Sequence, residues 1–142
     1  SDEERERGLS EGLGKDIDLD VLRCSKATAR ESALSAFSKT ELPQAIYCAN
    51  DVLAFGVIEA AIQLGIKIPE DIMIVGFDDI DMAASPFFSL TTFRQRPSDI
   101  SSWIVARLSE RLKNPELPVT VQRIPAQLVL RGSTPNSKTI GV

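Results

Sequence analysis

Asp78, Asp79 and Asp81 close the segment IVGFDDID (74–81), three carboxylates within four positions directly after an apolar run. Such a cluster can hold a hard cation, perform acid/base chemistry, accept hydrogen bonds from a polar ligand, or stand as a solvated loop. A Ca²⁺ or Mg²⁺ site calls for about six oxygen ligands, and the twelve-residue Ca²⁺ loop pattern is absent. Nucleophilic catalysis lacks its parts, because the chain has no histidine and no G-x-S-x-G elbow. Nothing in the pattern holds two carboxylates at the fixed separation that glycoside hydrolysis needs. A neutral, hydroxyl-rich ligand suits these residue types better: a carboxylate accepts from two hydroxyls, and an Asn amide both donates and accepts. Asn50 and Asp51 follow a second apolar run and extend the set. The alternatives are that Asn50 only caps a helix and that the acids are only solvated.

The elements that would position these groups follow from periodicity. QAIYCA (44–49) has strand length, and Asn50 then caps a helix over VLAFGVIEAAIQL with Asp51 in its first turn and Gly65 as the stop. KIPED turns the chain into IMIVGF (72–77), a β-branched run. A strand, a helix and a strand form a βαβ unit with parallel strands and a right-handed crossover. Asn50 and Asp51 then follow one strand and Asp78, Asp79 and Asp81 the other, so both clusters sit past the carboxyl ends on one edge, where open α/β sheets bind ligands. Residues 2–13 read as helix despite Gly8 and Gly12, and these glycines do not form a phosphate loop. LDVLRC (19–24) reads as a short strand, and 27–37 as a helix ended by Thr40 to Pro43. A strand at 89–94 follows a loop, and over 97–113 Pro97 comes first and Ser98 or Asp99 then starts a helix. VQRIPAQLVL (121–130) is a strand interrupted by Pro125, at an edge or a bend.

Composition narrows the partners. A chain of 142 residues with 43% apolar content supports one real core. The net charge of −4 leaves no excess of cations for a nucleic-acid backbone, so this chain by itself is not expected to bind DNA. No apolar run approaches the roughly 20 residues of a membrane span, and no export signal opens the chain. Cys24 and Cys48 match no zinc or C-x-x-C spacing and read as thiols in a reducing cytoplasm, with a disulfide as the alternative. No cofactor is implied. The charged start without an initiator Met suggests a chain cut from a longer one.

Several motifs, in order, resemble the effector-binding core of LacI/GalR-family bacterial transcription regulators. CANDVLAFG is similar to the family's A-N-D-x-x-A-x-G. GIKIPEDIMIVGFDD is similar to G-x-x-V-P-x-D-x-x-V-x-G-F/Y-D-D, with Ile68 where Val is usual, and LTTFRQ and LVLRGST match two further motifs. The resemblance implies an α/β, Rossmann-like three-layer sandwich with a mostly parallel sheet, half of a type I periplasmic-binding-protein-like fold. It implies a truncated effector-binding domain over 1–134 and a flexible tail over 135–142. The operator-binding headpiece, most of a first subdomain and this subdomain's opening strand would lie outside the chain. The strand at 89–94 and the helix at 97–113 would cross back to that first subdomain. By the same resemblance, Arg5 (of R-x-x-G), Asn50 and Asp78 contact a small, sugar-like effector, and Cys24 stands where some members stack an aromatic ring on it. Val52, Phe55, Met82 and Ala83 fall at a homodimer contact, with Phe55 as ordinary core the alternative. The implied function is effector sensing and dimerisation in a cytoplasmic regulator that is not an enzyme. A periplasmic sugar-binding protein of a transport system, which shares the fold, is the alternative.

Overall fold

A computed structural model of the protein describes residues 2–13, 20–39 and 41–135. Helix α1 (Asp2–Leu13) precedes a 3-10 turn (Lys26–Thr28) and α2 (Ala29–Phe37). Strand β1 (Ala45–Tyr47), helix α3 (Asp51–Gln63) and strand β2 (Met73–Phe77) form the expected βαβ unit. A second 3-10 turn (Asp81–Ala84) leads to β3 (Thr91–Arg94), α4 (Pro97–Lys113) and β4 (Gln127–Val129). The strands lie in the order β1-β2-β3-β4. The first three are parallel and β4 runs antiparallel to β3, which is the mostly parallel, Rossmann-like α/β sheet that the motifs imply.

Helix α3 forms where its caps dictate. Asn50 is extended, and its side-chain Oδ1 accepts from the Leu53 amide at 3.0 Å. Asp51 complements the positive helix start. Gly65 leaves the helix at φ +72°, a backbone state that glycine adopts without strain. The helix packs on β2 through Ala54, Phe55, Val57 and Ile58, which share one core with Ile72, Ile74, Leu90, Ala33 and Cys48. Helix α2 crosses α3 at Gly56, where a Cβ would stand 2.8 Å from Ala29 Cβ and 2.9 Å from the Arg30 backbone nitrogen. Only a glycine permits that approach.

Four expectations change. Residues 20–25 form no strand and Val21 to Arg23 are exposed, with Leu19 outside the described residues. A lone extended segment needs a ladder partner, and among the described residues β1 is bonded only to β2. Second, β3 does not leave for another subdomain but completes this sheet, because Leu90, Thr91 and Thr92 are fully buried beside β2. Third, the strand expected over 121–130 is confined to Gln127–Val129, after Pro125, whose missing N–H cannot enter a ladder. Fourth, α4 starts with Pro97 itself and Arg96 at the cap; Pro fits the first helical turn because its absent N–H would be unpaired there anyway. The tail proposed at 135–142 lies, apart from Pro135, outside the described residues.

Candidate functional site

The ladder register pairs Tyr47 with Val75. Asn50 and Asp78 each come three residues after these partners, so they occupy equivalent positions past the carboxyl ends of β1 and β2. Arg5 of α1 reaches the same edge. Its Nη1 donates to the Ala49 carbonyl at 2.7 Å, and its guanidinium lies 4.1 Å from the centroid of the Phe77 ring. Ala49 and Phe77 immediately precede Asn50 and Asp78. All three expected ligand contacts are thus drawn to one edge, with Arg5 touching the neighbour of each of the other two. Capping occupies the Asn50 oxygen, which leaves its amide nitrogen to donate to a ligand. Asp78 is exposed, and its N–H donates to the Phe93 carbonyl at 2.9 Å.

The backbone that carries Asp78 is under strain. Asp78 has φ +118° and Asp79 φ +55°, left-handed values that side-chain-bearing residues rarely adopt. Two buried carboxylates hold this turn. Asp51 accepts from the Thr92 hydroxyl at 2.5 Å through Oδ1 and from the Ile80 amide at 2.9 Å through Oδ2. It joins the start of α3 to β3 and to the chain just beyond Asp79. Burial raises the Asp51 carboxyl above its ordinary value, and the hydrogen bonds from Thr92 and Ile80 oppose that shift. Gly76 belongs to the same arrangement, because a Cβ there would overlap the Asp51 carboxylate and stand 2.9 Å from Leu90 Cδ2.

Asp79 is the second holder, which corrects the alternative that this acid is only solvated. Its side chain is only 3% exposed and pairs with Arg94 through Oδ2 and with Arg131 Nη2 at 2.6 Å through Oδ1. Burial pushes this carboxyl up, but the hydrogen bonds and charges of Arg131 and Arg94 outweigh it and hold it below the ordinary value. Arg131 also donates from Nη1 to the Leu90 carbonyl at 2.8 Å, and its amide donates to the Thr91 hydroxyl at 2.8 Å. Ser133, buried, accepts from the Thr91 amide at 2.8 Å and donates to the Ile74 carbonyl at 2.5 Å. The segment LVLRGST is therefore a lace across β2 and β3. Sequence reasoning set Asp51 among the edge groups rather than in the scaffold, and it missed Thr92, Arg131 and Ser133. The doublets Asn50-Asp51 and Asp78-Asp79 carried the signal: in each, the first residue faces the edge and the second builds the scaffold.

Of the residues expected at a homodimer contact, Val52 and Met82 are exposed, whereas Phe55 and Ala83 are buried. Phe55 stacks on Phe88 with ring centroids 4.2 Å apart. Both cysteines are free, and burial first, then the nearby Cys24 and Asp51, pushes the Cys48 thiol up to about 12. Among the described residues no group of three or more Cys, Asp or Glu is arranged to hold a metal, and no helix is long and apolar enough to cross a membrane.

Residues 1–134 match the periplasmic binding protein-like domain family. The HTH-type transcriptional repressor PurR of Aliivibrio fischeri is 31% identical over 115 residues, covering 80% of this chain and 34% of the repressor. A LacI family transcriptional regulator from Enterococcus faecalis V583, solved with bound ribose, superposes with a TM-score of 0.75 at 31% identity, over 94% of this chain and 49% of that one. A LacI family regulator from Arthrobacter sp. FB24 in complex with lactose gives 0.74 at 26% identity, over 91% and 48%. The chain spans about a third of the length of the curated relatives it matches and about half of the solved ones.

Proposed function

Because the chain belongs to the periplasmic binding protein-like domain family, among LacI/GalR-family regulators, we propose that it is the effector-sensing and dimerisation module of a LacI-type transcription regulator. The observation that carries this reading is the convergence of Arg5, Asn50 and Asp78 past the ends of two parallel strands. Together they offer a guanidinium fork, an amide donor and a carboxylate acceptor to one ligand. That set fits a small hydroxyl-rich molecule, sugar-like in its chemistry. Operator binding would belong to a headpiece outside this chain, consistent with its share of the relatives' length and its negative charge. The relatives' being regulators favours this role, in the cytoplasm, over transport.

Sensing in this scheme is differential affinity. A ligand that contacts Asp78 and a facing wall binds one arrangement of the two walls better than the other, and by linkage operator affinity shifts in return. Val52 and Met82 would form the direct homodimer contact, backed by buried Phe55 and Ala83. The regulatory domain would span 1–134.

The test is a thermal-shift screen of the complete regulator with ribose, lactose and a panel of polyols and nucleosides. Ligand at a hundred times its Kd stabilises the folded state by about 2.7 kcal/mol. Asp78→Ala should remove the response to whichever compound binds, while operator binding without effector stays near normal. Equal loss of both activities in a folded dimer would sink the assignment.

A further inference from the structure

Strand β2 alternates its faces. Ile74 and Gly76 lie on the α3 side, where Ile74 joins the core and a Cβ on Gly76 would meet the Asp51 carboxylate. Phe77 therefore stands on the opposite face, half-buried and outside that core. Its ladder partner on β3 is Phe93, whose ring is tilted beside it with centroids 6.0 Å apart. The two rings make an aromatic platform at the carboxyl end of the sheet, and the Arg5 guanidinium lies over one of them, 4.1 Å from the Phe77 centroid. The face of a phenyl ring is the negative part of its quadrupole, and partial burial strengthens its attraction for a cation.

Arg5 has a second anchor, because its Nη1 donates to the Ala49 carbonyl at 2.7 Å. The hydrogen bond fixes one end of the fork, and the ring fixes where its plane rests. Since the anchors directly precede Asn50 and Asp78, the guanidinium is held across the ends of β1 and β2. A mobile arginine has much rotamer freedom to lose on binding, and a fork ordered beforehand spares the ligand that loss. We propose that Phe77 is a positioning residue: its ring face presets the Arg5 guanidinium for the effector and so sets effector affinity through Arg5. This rests on the reading of Arg5, Asn50 and Asp78 as one ligand site and adds to it the residue that aims the arginine. An aliphatic side chain of similar size fills the same space without a negative face, which separates positioning from packing.

Calorimetric titration of the complete regulator tests the proposal, with the tightest binder among ribose, lactose and the polyol and nucleoside panel as probe. Phe77→Leu should weaken binding about threefold to thirtyfold with an unchanged circular dichroism spectrum, whereas Phe77→Tyr, which keeps the ring face, should bind like the unmodified protein. Replacing Phe77 with 3,4,5-trifluorophenylalanine, which keeps the shape but drains the negative face, should weaken binding in the same direction as Phe77→Leu. A ligand-free crystal structure of Phe77→Leu should show the Arg5 guanidinium displaced from the strand ends. Unchanged affinity in the leucine or trifluorinated form, or a guanidinium that stays in place in Phe77→Leu, overturns the positioning role while leaving the ligand site standing. If no compound of the panel binds, or if Asp78→Ala binds as tightly as the unmodified protein, the site reading fails and this proposal with it.

Discussion

Among single residues, the doublets divide labour between chemistry and scaffold. Asp78 stands at the carboxyl edge of the sheet in a backbone state that favours glycine, and the network around Asp51 and Asp79 offsets that strain. Asp78→Gly is therefore expected to stabilise the fold by about 1 kcal/mol while abolishing ligand response, as read by urea unfolding and the ligand screen. Lower stability in the variant would show that the side chain, not the strain, dominates. The two buried acids titrate in opposite senses. Asp79 is held below its ordinary value by Arg131 and Arg94 against the upward push of burial, so its stabilisation is complete above that value and is lost as pH falls beneath it. Asp51 is raised by burial, so its contribution declines as pH climbs from the ordinary carboxylate value through the raised one. The stability gap between the unmodified chain and Asp79→Asn should thus be widest near neutrality and close below about pH 4. A constant gap in urea titrations across that range would contradict the pairing.

For the elements, the decisive contact is the crossing of α2 and α3. Gly56 lets Ala29 and the Arg30 backbone approach within a distance that no Cβ tolerates, and the obstacle is largely main chain, which cannot swing aside. Gly56→Ala raises helix propensity, yet it should destabilise by about 1–3 kcal/mol because overpacking outweighs the propensity gain of roughly 1 kcal/mol. Denaturant midpoints of the single variant decide which term wins.

Over the whole molecule, stability is unevenly distributed. Helix α3 and strands β2 and β3 contain most of the core, whereas α4 buries none of its residues and leaves Ile104, Val105, Leu108 and Leu112 exposed. Its amphipathic stripe is not buried by the described residues. Hydrogen exchange in the isolated chain should therefore be fast throughout α4 and slowest in α3 and β2. Protection of α4 equal to that of α3 would mean that its face is covered, by a second copy or otherwise.

The βαβ unit, its parallel sense, the Asn50 cap, the Gly65 stop and the edge where Asn50 and Asp78 lie were all legible in the sequence. They depend on local periodicity, capping chemistry and the handedness of crossovers. Contacts across long separations were not legible. Nothing near Asp79 announces Arg131, fifty-two residues away, nor does Asp51 announce Thr92. The fate of 20–25 was equally hidden, since a strand exists only where a neighbouring ladder accepts its hydrogen bonds. Local pattern determined the βαβ unit and the helices, and which groups stand at the carboxyl edge of the sheet. Only the tertiary structure decided which acids are buried, what neutralises them, and how a strained Asp78 is held in place.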